Sequence, residues 1–388
     1  MFKRLWKQNL FFAFLIITIF QFFNSGLYFY VPLYLESIGL SGYQIGWLFA
    51  LSAITGLLFI FNMGLMADRV PIKALLMTGL LLMGVYMFGF SNTVLFPVLI
   101  ILFFIGGFGN NLYLLSMDNL VLKKAGFEKG RLFGSYSATK VIPAALGMLV
   151  AGYLLTNIEF SLALKLLGFV MVTLTIMSFL VPSTQKKISS VKSYFKDFFN
   201  MKVLPFVILI FIFTIHWGVE GVAYGLFLRT NLNLSFIQMG WYMSIPIIIL
   251  GFASIYMGKR YDQKPSIRTL LLAGFLMAGA GLALMAITTN PILSAFFRVI
   301  HEVGDAAFTL FMFIGAESLF AKERMGGNFG LLTLITVIGR FVGSLVFSPI
   351  GSTYGYQWPH IIAGSFIFLA GFFFLVFEKG YFKQPTEQ

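Results

Sequence analysis

Ser41-Gly42-Tyr43-Gln44-Ile45-Gly46-Trp47 returns 194 residues later as Ser235-Phe236-Ile237-Gln238-Met239-Gly240-Trp241, so S-x-x-Q-x-G-W occurs twice in a chain of 388 residues. The same offset lays Gly64-x3-Asp68-x2-Pro71 on Gly258-x3-Asp262-x2-Pro265. An offset of 196 lays Phe133-Gly134 and Gly147 on Phe329-Gly330 and Gly343. The offset is half the chain length, so two similar halves stand end to end.

The surroundings of the repeat say what solvent it was built for. Hydrophobic residues make up 59% of the chain, charged residues 11%, and mean hydropathy is +0.90. Soluble domains carry roughly a quarter charged residues, so a water-facing surface cannot be assembled from this composition. A bilayer core about 30 Å thick asks for about 20 apolar residues per helix. Twelve such runs, α1 to α12, lie at 10–34, 44–66, 72–91, 94–117, 134–157, 162–181, 205–228, 236–257, 267–287, 290–317, 330–350 and 360–377. They predict an all-α membrane protein with no separate soluble domain. The runs are too long and too uniformly apolar for the strands of a β-barrel. The basic start Met1–Lys7 resembles a secretory signal, but the run behind it is long and has no small-x-small cleavage site, so it is read as a retained α1. With no cysteine, disulfide and thiolate chemistry are excluded.

The net charge of +13 points to topology, not to nucleic acid. Arg69, Lys73, Lys123, Lys124, Lys129 and Arg131 fall in even-numbered gaps between the runs, with the basic residues of 186–202, 259–268 and 322–324. Odd-numbered gaps hold almost none, Arg229 being the main exception. That alternation is the positive-inside pattern, and it predicts an inner-membrane protein with both termini cytoplasmic. The polar stretch 182–204 joins the halves, dividing the chain into bundles 1–181 and 205–388. Within it Ile188, Val191, Phe195, Phe198 and Phe199 recur beside Lys187, Lys192 and Lys196, as on an amphipathic helix at the cytoplasmic interface. The repeated Ser and Gln are spaced as capping boxes at the starts of α2 and α8.

Gly64-Leu65-Met66-Ala67-Asp68-Arg69-Val70-Pro71-Ile72-Lys73 resembles the loop 2–3 signature of the major facilitator superfamily, G-x-L-x-D-R-x-G-R-[RK]. Gly64, Asp68, Arg69 and Lys73 match; Met66, Pro71 and Ile72 depart from it. The second half keeps Gly258, Asp262 and Arg268, with Gln263 at the arginine position. The resemblance implies two six-helix bundles related by a pseudo-twofold axis, rocking so that a central cavity opens to each side in turn. It also implies a cytoplasmic latch of Asp68, Arg69, Lys73, Asp262 and Arg268, with Asp118 and Glu317 as acidic partners at the inner ends of α4 and α10. The alternative for these residues is a set of interfacial charges that only fixes topology.

Ionisable residues inside apolar runs are costly and face a bundle interior or an aqueous cavity. In α10, Arg298 and Glu302 are four apart, as are His301 and Asp305; in α7, His216, Glu220 and Tyr224 share one side. Two roles compete for this cluster: a fixed ion-pair network joining α7, α10 and α11, or proton coupling through a carboxylate or imidazole whose environment changes between states. His216-x3-Glu220 lacks the H-E-x-x-H pattern and shows no third ligand in sequence, so no metal is assigned. No cofactor motif is visible either, and a proton gradient is the expected energy source. Gln21, Asn24 and Tyr28 in α1, Asn110 and Asn111 in α4, Lys140 in α5, Tyr224, and Arg340 in α11 are read as cavity lining. Interhelical hydrogen bonding is the competing role for the asparagines. The glycines beside them, Gly106, Gly107 and Gly109, are read as packing residues.

The superfamily that the chain resembles includes drug/proton antiporters whose fifth helix commonly shows G-x3-G-P-x3-G-G; α5 is similar only at Pro143 and Gly147, with Ala138 and Ile142 in place of the leading glycines. Duplicated halves, buried charge and no nucleotide-binding loop together predict a non-enzymatic transporter. The leading reading is proton-coupled symport of a small polar or anionic solute by a monomer in contact with membrane lipid. Drug, amphiphile or lipid efflux by proton antiport is the alternative.

Overall fold

The computed structural model describes residues 10–126, 128–155, 157–182 and 189–377. Met1–Lys7, Ile188 and both chain ends, on which the signal, linker and topology readings partly rest, lie outside these residues. Among the described residues, twelve helices are long and apolar enough to cross a membrane. They are α1 Phe11–Tyr28, α2 Gly42–Arg69, α3 Ile72–Phe90, α4 Phe96–Lys123, α5 Lys129–Leu154 and α6 Phe160–Met177. The second six are α7 Leu204–Thr230, α8 Phe236–Gln263, α9 Ile267–Ile287, α10 Pro291–Leu319, α11 Met325–Tyr354 and α12 Gln357–Phe377. The all-α, twelve-span expectation is met.

One end was misread. The apolar run of α1 was expected to continue to residue 34, but the helix stops at Tyr28 and a second short helix, Val31–Ser37, follows. Pro32 is the physical reason: it has no N–H for the carbonyl four residues back, and its ring crowds that turn. In the other direction, α2, α4, α5, α8, α10 and α11 run longer than expected, to 26–30 residues. At 1.5 Å per residue they exceed a hydrocarbon core of about 30 Å, so one end of each carries polar chemistry.

Both capping boxes form with the same geometry. Ser41 N–H donates to Gln44 Oε1 at 2.9 Å and Gln44 N–H to Ser41 Oγ at 3.3 Å; the Ser235–Gln238 pair repeats both distances. Trp47 and Trp241 are exposed on the outer surface of their helices, as interfacial tryptophans are. Ser41→Ala and Ser235→Ala are each expected to cost about 1 kcal/mol, read as a lower unfolding temperature of the purified protein. An unchanged temperature for both would show that these helix starts need no cap.

The compact units do not follow the sequence join. One takes the described residues through Ala125 with Thr139–Leu204 and Leu319–Leu334; the other takes Gly126–Ala138, Pro205–Ser318 and the described residues from Ile335 onward. The start of α11 thus packs with the first unit and the start of α5 with the second. Glycine makes both placements. A Cβ on Gly64 of α2 would strike the backbone of Gly326 and Gly330, and one on Gly258 of α8 would strike Gly130 and Gly134. These are the same crossing made twice, at the offsets that relate the halves. Within α4, Gly107 abuts Ser52 and Gly109 abuts Gly79, the packing role expected of them.

The join between halves contains a helix, Val191–Phe198, that begins after Ser190. Val191, Phe195, Phe199, Lys192 and Lys196 are exposed on it, while Tyr194 and Phe198 are buried. Phe198 therefore turns inward, away from the apolar stripe assigned to it in sequence, and Tyr194 joins it there.

Candidate functional site

In the second unit, the stripe of α10 meets α7. Arg298, His301, Glu302 and Asp305 are all buried. The Arg298 guanidinium forks between two carboxylates: one nitrogen bonds Glu220 of α7 and the other bonds Glu302 Oε1 at 2.5 Å. Its flat face lies 4.4 Å from the centre of the Tyr224 ring. A fork with stacking suits a guanidinium and no other cationic side chain. Helix α7 makes a π-helical turn over Glu220–Tyr224, a widening often found at functional positions. Gly221 and Gly225, on that turn and just after it, have nothing within 4 Å of an added Cβ.

The two histidines complete the cluster. His301 Nε2 is 3.0 Å from Glu220 Oε1 and 3.7 Å from Asp305 Oδ1, and His216 Nε2 is 3.4 Å from Asp305 Oδ1. The other ring nitrogens face main-chain carbonyls: His216 Nδ1 lies 2.5 Å from Phe213 O, and His301 Nδ1 lies 2.8 Å from Ala278 O. Trp217 donates its indole N–H to Asp305 Oδ2 at 2.8 Å. His216, Glu220 and His301 place ligand atoms within 4.8 Å of one another. His301 of α10 thus stands beside His216 and Glu220 of α7, a meeting that the sequence spacing alone did not show.

The remaining cavity candidates divide. Arg340 of α11 places its guanidinium 4.7 Å from the Trp217 ring centre, which brings α11 to the cluster through an indole. Lys140 meets Asp118 at 3.0 Å, so one expected cavity cation and one expected latch acid belong to a single pair. In the first unit, Asn24 Oδ1 and Asn110 Oδ1 are buried without a hydrogen-bond donor, while Asn111 donates to Thr55 Oγ1 at 3.0 Å. Gln21 accepts from Ser25 at 2.9 Å, and the exposed Tyr28 stacks edge-on against Phe49. Two asparagines thus keep open acceptors and one serves as an interhelical bond.

At the polar helix ends, Asp68 is fully buried and accepts four bonds. Lys123 Nζ lies 2.7 Å away, Tyr194 OH 3.1 Å, and the main-chain N–H groups of Gly326 and Gly327 each 2.9 Å. Asp262 repeats the arrangement one half later, accepting from the N–H groups of Gly130 at 2.8 Å and Arg131 at 2.9 Å. Each carboxylate seals the N-terminus of a long helix, where unpaired amides and the helix dipole favour negative charge. Burial, with the Asp68 carboxylate adding to it, pushes the Tyr194 hydroxyl up to about 12. It stays a donor at neutral pH, and this bond is lost only as pH rises through that value.

Asp118 and Glu317, expected as the acidic partners of the latch, do not meet Arg69: Asp118 pairs with Lys140. Glu317 instead meets Lys129 at 2.7 Å, Arg69 donates to Ser189 O at 3.3 Å, and Lys73 donates to Phe179 O at 2.5 Å. Arg268 is exposed near the start of α9. Sequence reading missed Trp217, Tyr194 and Asp197, the last of which takes Arg324 Nε at 2.6 Å and Asn328 Nδ2 at 3.0 Å. It also missed the buried His360. A tryptophan directly after His216 was the available signal, since a buried indole N–H needs an acceptor.

The Major Facilitator Superfamily model matches residues 10–288 and 206–387. The chain belongs to that superfamily. Multidrug resistance protein MdtG of Rahnella sp. (strain Y9602) is 24% identical over 400 residues, covering 96% of this chain and 94% of that one. The solved structure of the proton:xylose symporter XylE superposes with a TM-score of 0.76 at 13% identity, over 96% of each chain. A bacterial homologue of the iron transporter ferroportin, in an outward-facing state, gives 0.75 at 15% identity over 94% of this chain and 98% of that one. Those two likenesses establish the fold alone. This facilitator is an integral multi-pass membrane protein that moves a small solute by secondary transport, and it is not an enzyme.

Proposed function

We propose that this facilitator couples solute movement to protons through the α7–α10 cluster, in a symport cycle for a small polar or anionic solute. The observation that carries the reading is Arg298, held between Glu220 of α7 and Glu302 of α10 with two histidines and Asp305 alongside. Two carboxylates sharing one guanidinium, with a third carboxylate on the neighbouring histidines, form a balance that a small helix movement upsets, and a proton restores it. Lys140 and Arg298 are both engaged by carboxylates, so Arg340, stacked on Trp217 beside the cluster, is the cation of the second unit that we assign to the solute. Asp68 and Asp262 hold the gate at the polar helix ends, a side we assign to the cytoplasm together with both termini.

A second reading, proton-driven export of drugs or amphiphiles, is favoured by the multidrug name of the MdtG relative and disfavoured by the reduced α5 antiporter pattern. Liposomes holding the purified protein, with imposed proton gradients of either sign and a broad solute panel, separate the two. Glu220→Gln, Glu302→Gln and Asp305→Asn are the test of coupling. The essential carboxylate, once neutralised, is expected to abolish gradient-driven accumulation while equal-pH exchange survives. Full gradient-driven transport by all three variants would reject the cluster as the coupling site.

A further inference from the structure

His216 and His301 are both fully buried, and their rings meet edge to face with centroids 5.1 Å apart. Each Nδ1 faces a main-chain carbonyl, a contact that requires the proton to be on Nδ1. A ring that carries only that proton presents a bare Nε2 lone pair. In that state neither Nε2 donates a hydrogen bond, although each faces a carboxylate oxygen, His301 Nε2 that of Glu220 at 3.0 Å and His216 Nε2 that of Asp305 at 3.4 Å. Lone pairs aimed at carboxylate oxygens repel unless something positive lies among them.

We propose that His216 Nε2, His301 Nε2, Glu220 and Asp305 form a binding site for a divalent transition-metal ion. An ion with tetrahedral ligands at about 2.0–2.1 Å sets its ligands about 3.3–3.4 Å apart. Three of the six gaps are 3.0, 3.4 and 3.7 Å, and the ligand atoms of His216, Glu220 and His301 all lie within 4.8 Å of one another, so an ion would draw the ligands in on binding. Two imidazoles and two carboxylates suit zinc-like or cobalt-like ions, whereas calcium and magnesium take oxygen ligands.

The outer shell is that of a metal site as well. Both histidines are oriented by carbonyls, and Asp305 is oriented by the Trp217 indole N–H. Arg298 steadies Glu220 without being a ligand. Glu220 is the most exposed of the four, with 17% of its side chain accessible, and marks the side from which an ion enters. The proposal rests on the reading above that this cluster accepts positive charge, and it widens the occupant from a proton to a metal.

Purified protein stripped with chelator and titrated with Co2+ tests it. The expected result is one equivalent bound, with the intense visible d–d absorption of tetrahedral cobalt, bleached when Zn2+ is added. His216→Ala and His301→Ala should each weaken binding at least about tenfold. Trp217→Phe should weaken it about 10- to 100-fold, as loss of an outer-shell bond does. Unfolding temperatures measured without metal show that the variants are folded, and His301→Gln replaces His301→Ala if the latter is not. Absence of the band in the wild type, or its survival in the His216→Ala/His301→Ala double variant, would overturn the site. Proton-driven transport measured in chelator on the same preparation keeps the two readings apart. Coupling without cobalt binding rejects only the metal site, and cobalt binding without coupling rejects only the proton reading.

Discussion

Arg298→Met is expected to destabilise the protein by about 3–5 kcal/mol, the usual cost of removing one partner from a buried ion pair. The substitution preserves volume and apolar stem but leaves Glu220 and Glu302 facing each other without the cation that both now bond. Thermal unfolding of the detergent-purified protein reads the loss, and a lower yield of folded protein should accompany it. Arg298→Lys keeps the charge but gives up the fork and the stacking on Tyr224, so its unfolding temperature should fall between the two. Adding Glu220→Gln and Glu302→Gln to Arg298→Met should restore most of the loss, because no unpaired charge then remains. If Arg298→Met unfolds at the wild-type temperature, the two carboxylates do not depend on the guanidinium, and the ionic account of the cluster fails.

What the sequence made readable follows from how unusual a residue is in its surroundings. Charges in apolar runs stand out by letter alone, so Arg298, His301, Glu302, Asp305, His216 and Glu220 were found together, and the i, i+4 pairs of α10 formed as their spacing required. The capping boxes were legible because both partners lie within one turn. Contacts between helices were not. Asp118 and Lys140 are 22 residues apart, and only packing decides that they meet. The partners of Asp68 could not be named at all from residue types, since two of its donors are main-chain N–H groups, which every residue except proline carries. The break after Tyr28 is encoded by Pro32, but the run around it is apolar throughout, so hydropathy does not mark it.

Those main-chain donors make Asp68→Asn the substitution with the largest expected effect on conformation. An asparagine there presents one oxygen and one NH2 to Lys123, Tyr194 and the amides of Gly326 and Gly327, so at least one donor faces another donor. A hydrogen bond to a charged group contributes roughly 1.5–3 kcal/mol, and 1.4 kcal/mol is tenfold in an equilibrium. If Asp68 holds the gate as proposed, losing one such bond should therefore move the ratio of gate-closed to gate-open protein by about 10- to 100-fold. Asp262→Asn should move it less: its carboxylate takes the same two-amide helix start, but its cation, Arg131 Nε, is 4.0 Å away where Lys123 is 2.7 Å from Asp68. Spin labels placed either side of the α2–α11 contact would record the change as a distance distribution shifted to longer values. Folding should survive, because the lost bonds lie at helix ends and not in the packed spans. A distribution for Asp68→Asn that overlays the wild type would mean that the amides of α11 hold Asp68 in every state. The carboxylate would then be a fixed helix cap, and the gate would have to be sought elsewhere.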